Sequence, residues 1–296
     1  MRLLTVRHVS TYRYAEPVRL GDHWMMFRPR ESHDLRLINS RLDISPRPAD
    51  LRWLHDVFDN SLAVASFDTE TTELRFESQV TLEHYEVDAP DYQIEPSARL
   101  FPFFYPSGDS VNLQRALESR HHSLEVIRWA RDVVESLGPG PIETMALLQS
   151  MTHAIRRGFT YVRRPERGVQ TPAETLRRGD GSCRDFAVLM IEAVRSLGLA
   201  ARFVSGYIFV PELEPFGVVG GGATHAWLQV YLPGAGWVDF DPTNSIIGNR
   251  NLIRVAVAWD PADALPLWGT YIGSSRSFLG LDVTVSVTDR IRSQES

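Results

Sequence analysis

One stretch of the sequence, residues 179–197, decides the fold and carries the only cysteine of the 296-residue chain. It reads Gly-Asp-Gly-Ser-Cys-Arg-Asp-Phe-Ala-Val-Leu-Met-Ile-Glu-Ala-Val-Arg-Ser-Leu. Its apolar residues recur at helical spacing, and Gly198 directly after it is a typical helix end. Cys183 therefore falls in the first helical turn, where free backbone N–H groups and the positive end of the helix dipole favour a thiolate. The stretch predicts a nucleophilic cysteine or, as the alternative interpretation, a buried structural one.

Composition and charge describe a folded protein that does not bind nucleic acid. Apolar residues make up 43% of the chain and charged residues 23%, which is typical of a globular protein with a buried core. The formal net charge is −6, and the 31 basic residues are all arginine and form no basic block. Nucleic acid is therefore not an expected partner.

Cysteine content and hydropathy indicate in which cellular compartment the protein is expected to lie. A single cysteine excludes an intramolecular disulfide, and no cluster of Cys and His resembles a zinc site, so we expect no metal and no cofactor. No apolar run approaches the roughly 20 residues that a membrane span needs. The first eight residues lack the uninterrupted apolar core of a secretory signal. We therefore expect a cytoplasmic protein that does not bind membranes.

The first 88 residues read as short strands separated by turn residues, without a helical period. Strand formers are concentrated in four segments, at residues 3–9, 35–38, 62–67 and 74–82. We predict a β-sandwich-like N-terminal domain over residues 1–88. A connector rich in proline and aromatic residues follows over residues 89–122, and we expect it to lie extended across the surface.

Helices and then strands follow the connector. Ser123 precedes an amphipathic run, a second helical pattern covers residues 142–157, and Thr171-Pro172 is a typical start of a third helix. Beyond the Cys183 helix, strand formers are concentrated at residues 200–209, 224–232, 237–241, 253–259 and 281–288. Helices followed by antiparallel strands indicate an α+β core, which we place at residues 123–296.

A cysteine nucleophile needs a base, and the base needs an orienting partner. His225 lies at the start of the second of these strands, and Asp241 lies at the end of the third. If Tyr231 pairs with Trp237, Asp241 lies on the same face as His225, one diagonal step away and about 7–8 Å between backbone positions. A one-residue slip would place them on opposite faces. We predict the first register, because only that register lets a carboxylate orient the histidine.

Four short motifs occur in order along the second half of the chain. They are Gly-Ser-Cys-Arg-Asp-Phe-Ala (181–187), Ala-Arg-Phe-Val-Ser-Gly-Tyr (201–207), Thr-His-Ala-Trp (224–227) and Gly-Trp-Val-Asp-Phe-Asp-Pro-Thr-Asn (236–244). In this order they resemble the bacterial transglutaminase-like proteins of the papain-like superfamily. The first 88 residues resemble the N-terminal domain that accompanies this core in bacteria. The resemblance implies Cys183 as the nucleophile, His225 as the general base and acid, and Asp241 as the orienting carboxylate.

Other polar residues in these motifs are candidates for supporting roles. Asp239 shares the predicted face of Asp241, but the resemblance assigns the orienting role to Asp241. Asn244 is the alternative orienting group. Arg184 and Asp185, beside the cysteine, are expected to hold the helix start in place.

The same parts imply an acyl-transfer chemistry on amide groups of protein or peptide substrates. The Cys183 thiolate would attack the carbonyl, and His225 would protonate the leaving amine to give a thioester. The backbone N–H of Cys183 and one further donor, Gln170 or a tryptophan, would stabilise the oxyanion. An amine acceptor would complete transamidation, and water would complete hydrolysis. A cysteine peptidase or amidase and a non-catalytic binding scaffold are the alternative interpretations.

Overall fold

The computed structural model describes residues 1–86, 92–164, 168–211 and 221–289. Its first part is rich in strands, as the sequence pattern predicts. The strands are β1 (Arg2–Met25), β2 (Leu35–Ser45), β3 (Asp50–His55), β4 (Ser61–Ser66) and β5 (Glu70–His84). The predicted segments at 3–9, 35–38 and 74–82 are confirmed within β1, β2 and β5, and the segment at 62–67 is confirmed as β4, which ends one residue earlier. Strand β3 was not predicted, because it is an edge strand with every residue exposed and lacks an apolar alternation.

Strand β1 is longer than predicted, because polar residues occupy the inward positions in its middle. Its even-numbered residues from Leu4 to Tyr14 are all buried. Two of them, His8 and Ser10, bond to each other at 2.9 Å, and the other ring nitrogen of His8 lies 3.0 Å from the Tyr207 hydroxyl. This polar pair interrupts the apolar alternation from which a strand is recognised in a sequence.

The described part of the connector, residues 92–122, packs against the core and is more ordered than the predicted extended segment. It contains the short strand β6 (Leu100–Phe101) and the helices α1 (Ser107–Asn112) and α2 (Gln114–Leu117). The Tyr105 hydroxyl accepts the N–H of Ala200 and donates to the carbonyl oxygen of Tyr231, both at 2.9 Å. The aromatic content of this segment therefore reflects its packing against the core.

The predicted helices of the core are confirmed. They are α3 (Leu124–Ser136), α4 (Thr144–Gly158), α5 (Pro172–Arg178) and α6 (Cys183–Ser196), and the short strands β7 (Ile142–Glu143), β8 (Thr160–Tyr161) and β9 (Asp180–Gly181) lie between them. The side chains of Ser123 and Thr171 cap α3 and α5. Twelve of the fourteen residues of α6 are buried, so α6 is the central helix of the core. None of the helices in the described ranges is long and apolar enough to cross a lipid bilayer.

The second sheet is antiparallel and packs against α6. Its strands are β10 (Ala201–Ile208), β11 (His225–Leu232), β12 (Gly236–Asp241), β13 (Ile246–Ile247) and β14 (Leu252–Ala258), in the spatial order β13-β12-β11-β10-β14. Tyr231 lies opposite Trp237, which confirms the predicted register. Continuing this register places Asp241 across from Trp227, on the face that also carries His225.

The last strands of the described chain return to the first sheet. Strands β15 (Leu267–Ile272) and β16 (Phe278–Asp289) both pair with β1, so the N-terminal sheet has seven strands. The predicted strand at 281–288 is confirmed, but strand pairing attaches it to the first sheet and not to the core predicted over residues 123–296. Local sequence does not show this, because strand partners are chosen by pairing over long chain separations.

Buried hydrogen bonds fix the N-terminal sheet to the second sheet. Asn60 exchanges bonds of 2.8 and 2.9 Å with the backbone of Val257. His84 Nε2 lies 3.0 Å from the carbonyl oxygen of Leu252. Both partners belong to β14, an edge strand of the second sheet, so the N-terminal sheet covers that edge.

Candidate active site

Cys183 is the first residue of α6, and its position depends on Asp185. The Asp185 carboxylate accepts hydrogen bonds from the backbone N–H and the hydroxyl of Ser182, both at 2.8 Å. It also accepts the backbone N–H of Gln170 at 2.7 Å. A buried carboxylate at the third helical position thus closes the helix start and ties the preceding segment to it.

Arg164 is the cationic partner of Asp185, and the sequence did not single it out. Its Nη1 lies 2.8 Å from both carboxylate oxygens. Burial would raise the pKa of Asp185, but the hydrogen bonds from Ser182 and Gln170 and the Arg164 guanidinium hold it below its usual value. Arg184 donates to the carbonyl oxygen of Arg164 at 3.2 Å. Asp185 therefore has the expected role of holding the helix start, with Arg164 as its partner.

His225 and Asp241 form a buried pair where β11 begins and β12 ends. The Nε2 atom of His225 lies 2.8 Å from Oδ2 of Asp241, and both side chains are fully buried. The predicted register brings these residues together because they share one face of neighbouring strands. The pair is isolated from water, so its charges interact strongly.

Asp241 is held by two further donors from the segment that follows it. The backbone N–H of Thr243 donates to Oδ1 and the amide nitrogen of Asn244 donates to Oδ2, each at 2.8 Å. Asn244 lies 3.5 Å from His225 Nε2, so its main contact is with the carboxylate. Burial would raise the pKa of Asp241, but the charge of His225 and these hydrogen bonds hold it below its usual value.

The second ring nitrogen of His225 faces the region of Cys183. Nδ1 is buried and forms no hydrogen bond to any residue that the structure describes. The Cys183 thiol lies close enough to contribute to the raised pKa of His225. The contact is thus a close approach and not a closed hydrogen bond, as is common in catalytic sites without substrate.

The charge state of His225 follows from Asp241. Burial alone would lower the pKa of His225, but the charge of Asp241 and the hydrogen bond to it raise the pKa to about 10. At neutral pH the ring therefore carries its proton and faces the thiol as an imidazolium. Tyr161, on β8, also lies near the thiol: burial and the charge of Cys183 raise its pKa to about 12, so it remains a hydroxyl.

Trp227 separates this pair from a second buried aspartate. Its indole stacks on His225 with ring centroids 5.9 Å apart, and its Nε1 donates to Oδ1 of Asp239 at 2.7 Å. Burial raises the pKa of Asp239, an effect that the charge of Arg254 and the indole N–H reduce but do not reverse. Asp239 therefore does not contact the histidine; it anchors the ring that packs against it.

Two models of known protein families match this chain. Residues 132–242 match the model of the transglutaminase-like superfamily. Residues 4–83 match the bacterial transglutaminase-like N-terminal region. The chain belongs to the transglutaminase-like superfamily.

Curated relatives match this chain over nearly its whole length or over one segment. An uncharacterized protein of Mycobacterium tuberculosis is 28% identical over 291 residues, which are 95% of this chain and 91% of that protein. The protein-glutamine gamma-glutamyltransferase of Pseudomonas aeruginosa is 33% identical over 112 residues, which are 36% of this chain and only 16% of that protein. Similarity to the transferase is thus limited to one segment.

A solved structure shares the fold over nearly the full length. A crystal structure from Cytophaga hutchinsonii, described as a candidate cysteine protease, superposes with a TM-score of 0.69. The alignment covers 98% of this chain and 92% of that chain at 18% sequence identity. The likeness shows that the N-terminal sheet and the transglutaminase-like core occur together in another protein.

The four superfamily motifs each supply one part of the site. The first forms the helix start at Cys183, and the third and fourth bring His225 and Asp241 together. The second motif contributes Gly206, on β10: a Cβ there would collide with the carbonyl oxygen of Ile253 and lie 2.8 Å from the indole of Trp227. Glycine is needed at this position because the indole and a neighbouring backbone occupy the space.

Proposed function

We propose that this chain is a thiol-dependent acyl-transfer enzyme that acts on amide groups of protein or peptide substrates. The observation that carries the proposal is the buried bond between His225 and Asp241, with Cys183 at a helix start beside the same imidazole. A nucleophile, a base and a group that orients the base are the parts that thiol-dependent amide chemistry requires.

In the proposed reaction the Cys183 thiolate attacks the amide carbonyl carbon, and the carbonyl electron pair moves to the oxygen. The His225 imidazolium donates its Nδ1 proton to the nitrogen as the C–N bond breaks, which leaves a thioester on Cys183. Neutral His225 then accepts a proton from the acceptor, an amine or water, as the acceptor attacks the thioester. Asp241 keeps the imidazole in this orientation and stabilises its charged form.

We assign the second oxyanion donor to Gln170 in preference to a tryptophan. Its Nε2 is buried and has no hydrogen-bond partner among the described residues. Its backbone N–H is tied to Asp185, and its Oε1 accepts the Thr175 hydroxyl at 3.1 Å, so the side chain is held at the helix start. The Trp227 N–H, in contrast, is committed to Asp239. Replacing one oxyanion donor typically lowers kcat by about 10²-fold to 10³-fold, which we expect for Gln170→Ala.

Glutamine side chains are the acyl donors that we propose, with hydrolysis as the second candidate. The partial similarity to a protein-glutamine gamma-glutamyltransferase supports the first. The shared fold with a candidate cysteine protease is the reason to retain hydrolysis of side-chain or main-chain amides. Both begin with the same Cys183 thioester, and they differ in the acceptor that reaches it.

The test is to incubate the protein with a glutamine-containing peptide, with and without a fluorescent primary amine. We expect ammonia release together with a peptide that carries the label. The chain contains no lysine, so among its own groups only the α-amino group competes as an acceptor. Ammonia release without labelling would favour an amidase, and cleavage of the peptide backbone would favour a peptidase.

Cys183→Ala is the matched control for every activity, since removal of a catalytic nucleophile costs about 10⁶-fold in kcat. We propose the reducing cytoplasm as the compartment, where the thiol stays free. Activity that survives Cys183→Ala would contradict the proposal. So would a wild-type protein that turns over no amide and whose thiol shows no activation, because those are the properties of a binding scaffold.

A further inference from the structure

A cavity of about 370 Å³ lies between the N-terminal sheet and the second sheet, and Cys183 does not line it. Residues 30–34 of the N-terminal part form one wall. The opposite wall is a polar row across three strands, in which Arg202 pairs with Gln229 and Gln229 pairs with Asp239. The volume of the cavity is in the range of small-molecule sites, which commonly lie between domains.

Two of the three arginines in this cavity have their partners within the protein. Arg254 lies 3.1 Å from Asp34 and 3.5 Å from Asp239, and it also donates to the Ser32 hydroxyl. Arg30 donates to the carbonyl oxygen of Phe58 and to the side chain of Asn60. The Arg254 guanidinium thus joins the two sheets, whereas the Arg30 guanidinium bonds within the N-terminal part.

The third arginine, Arg202, has no such partner. Its Nε donates to Gln229 at 2.9 Å, and its guanidinium lies 4.1 Å above the ring of Trp237. No carboxylate of the described residues lies within ion-pair distance of it, and its two terminal nitrogens donate to none of those residues. The Nε edge of the guanidinium is therefore fixed by Gln229, and the edge formed by the two terminal nitrogens is available to a ligand.

The surroundings of Arg202 favour an anion at that edge. Burial lowers the pKa of Arg202 to about 9, and the nearby charge of Arg254 lowers it further than the carboxylate of Asp239 raises it. The side chain is still charged at neutral pH. A partly buried cation without an ion-pair partner is costly, and an anion that enters the cavity reduces that cost.

We propose that this cavity binds a small carboxylate, which Arg202 holds through its two terminal nitrogens. A planar carboxylate matches the fork of a guanidinium with two parallel hydrogen bonds. Asp34 and Asp239 also line the cavity and disfavour a doubly charged phosphate more than a singly charged carboxylate. Trp237 and Tyr92 offer apolar surface for the rest of the ligand. The site is independent of the function proposed for Cys183.

The test is to titrate the full-length protein with benzoate, acetate and inorganic phosphate at constant ionic strength. Tryptophan fluorescence reports binding, because Trp237 lies directly beneath Arg202. We expect saturable binding of benzoate in the millimolar range, weaker binding of acetate and weaker binding still of phosphate. Arg202→Gln should weaken benzoate binding about tenfold or more, and Arg202→Lys should weaken it less.

Thermal unfolding supplies a second readout and a matched control. Benzoate should raise the Tm of the wild type and leave that of Arg202→Gln unchanged, since only binding to the folded state stabilises it. Arg52→Gln, which changes an exposed arginine of β3 outside the cavity, should respond as the wild type does. No saturable binding up to roughly 100 mM, or equal binding to the wild type and Arg202→Gln, would overturn the proposal. Phosphate binding tighter than benzoate would overturn the choice of a carboxylate.

Discussion

Two carboxylates on β12, Asp239 and Asp241, are two residues apart, share one face and are almost fully buried. Their pKa values nevertheless move in opposite directions. The pKa of Asp241 lies below its usual value, whereas burial raises that of Asp239. Burial is common to both, so it does not decide the outcome.

The difference lies in the partners. Asp241 faces an imidazole that can take up a proton, and the backbone and side chain of the following turn add two more donors. Asp239 faces an indole N–H, which is a donor without charge, and it shares Arg254 with Asp34. Asp241, at the end of β12, is therefore placed to stabilise a transferable proton on His225, and Asp239, inside the strand, is placed to hold the Trp227 ring.

Enzymatic activity should show the largest difference between the two carboxylates, Asp239 and Asp241. Asp241→Asn should lower kcat for the acylation step about 10³-fold to 10⁴-fold, because the imidazole loses its orienting charge. Asp239→Asn keeps an acceptor for the Trp227 N–H. It should lower the same kcat by about tenfold or less, since the reacting groups stay in place. Single-turnover ammonia release from a glutamine peptide measures both. Equal losses in the two variants would contradict the separation of roles.

The pH dependence of stability should distinguish the pair as well. Because the folded pKa of His225 is raised from 6.5 to about 10, its contribution to the free energy of unfolding is complete below pH 6.5 and is lost as the pH rises through about 10. The contribution of Asp241 is lost only as the pH falls through its folded pKa, below 3.8. Asp241→Asn should therefore destabilise the protein by about 3 kcal/mol near pH 6 and by less toward pH 10.

Asp239→Asn is the control for that measurement, which is made by urea unfolding at a series of pH values. Since the pKa of Asp239 is raised, the stability that its protonation contributes is complete below 3.8 and is lost as the pH rises through the folded value. Because Asp239→Asn keeps the His225–Asp241 pair, this variant and the wild type should lose stability alike as the pH rises through about 10. A parallel decrease in both variants would show that the alkaline loss has another origin.

Gly206→Ala should test whether the packing around Trp227 keeps Asp239 apart from His225. The added Cβ would meet the backbone of Ile253 and the indole, so we expect a loss of about 2–3 kcal/mol in the free energy of unfolding. Gly158→Ala is a matched control at the end of α4, where a Cβ meets nothing within 4 Å. It should be neutral or stabilising by up to about 1 kcal/mol. Similar unfolding midpoints for the two variants would refute the packing argument.

The smallest effect should come from Trp227→Phe. The substitution keeps an aromatic ring against His225 but removes the N–H that Asp239 accepts, which should cost about 1–2 kcal/mol in stability. In the double variant with Asp239→Ala the loss should be smaller than the sum of the two single losses, because each substitution removes one partner of the same hydrogen bond. Thermal or urea unfolding of the four proteins gives this coupling. Strict additivity would show that the bond contributes nothing.

The parts of the structure that follow from local sequence were predicted well. Gly198, Ser123 and Thr171 mark helix ends by their own chemistry. Strand alternation left two registers open, and the requirement that a carboxylate orient the histidine selected the one that brings His225 to Asp241. Both conclusions depend only on residues that are near one another in the chain.

The parts that depend on distant residues were not predicted. Arg164 reaches Asp185 across 21 residues, and no pattern in the sequence connects them. The same holds for β16, which pairs with β1 at the opposite end of the chain, and for Arg254, which joins the two sheets. Such contacts are set by tertiary packing, so they leave no periodic signal. The sequence prediction set Asp239 aside because the resemblance assigns the orienting role to Asp241, and the hydrogen bond from Trp227 to Asp239 was not predicted.

The most direct test of the account is the pH profile of alkylation at Cys183, followed by intact mass. The chain has a single cysteine, so one adduct reports on one thiol. If the His225 imidazolium, whose pKa is raised to about 10, stabilises the thiolate, the alkylation rate should change by less than about threefold between pH 6 and 9. In Asp241→Asn the rate should become strongly pH-dependent, and in Asp239→Asn it should not. A wild-type rate that rises about 200-fold over this range, as for an ordinary thiol, would contradict the account.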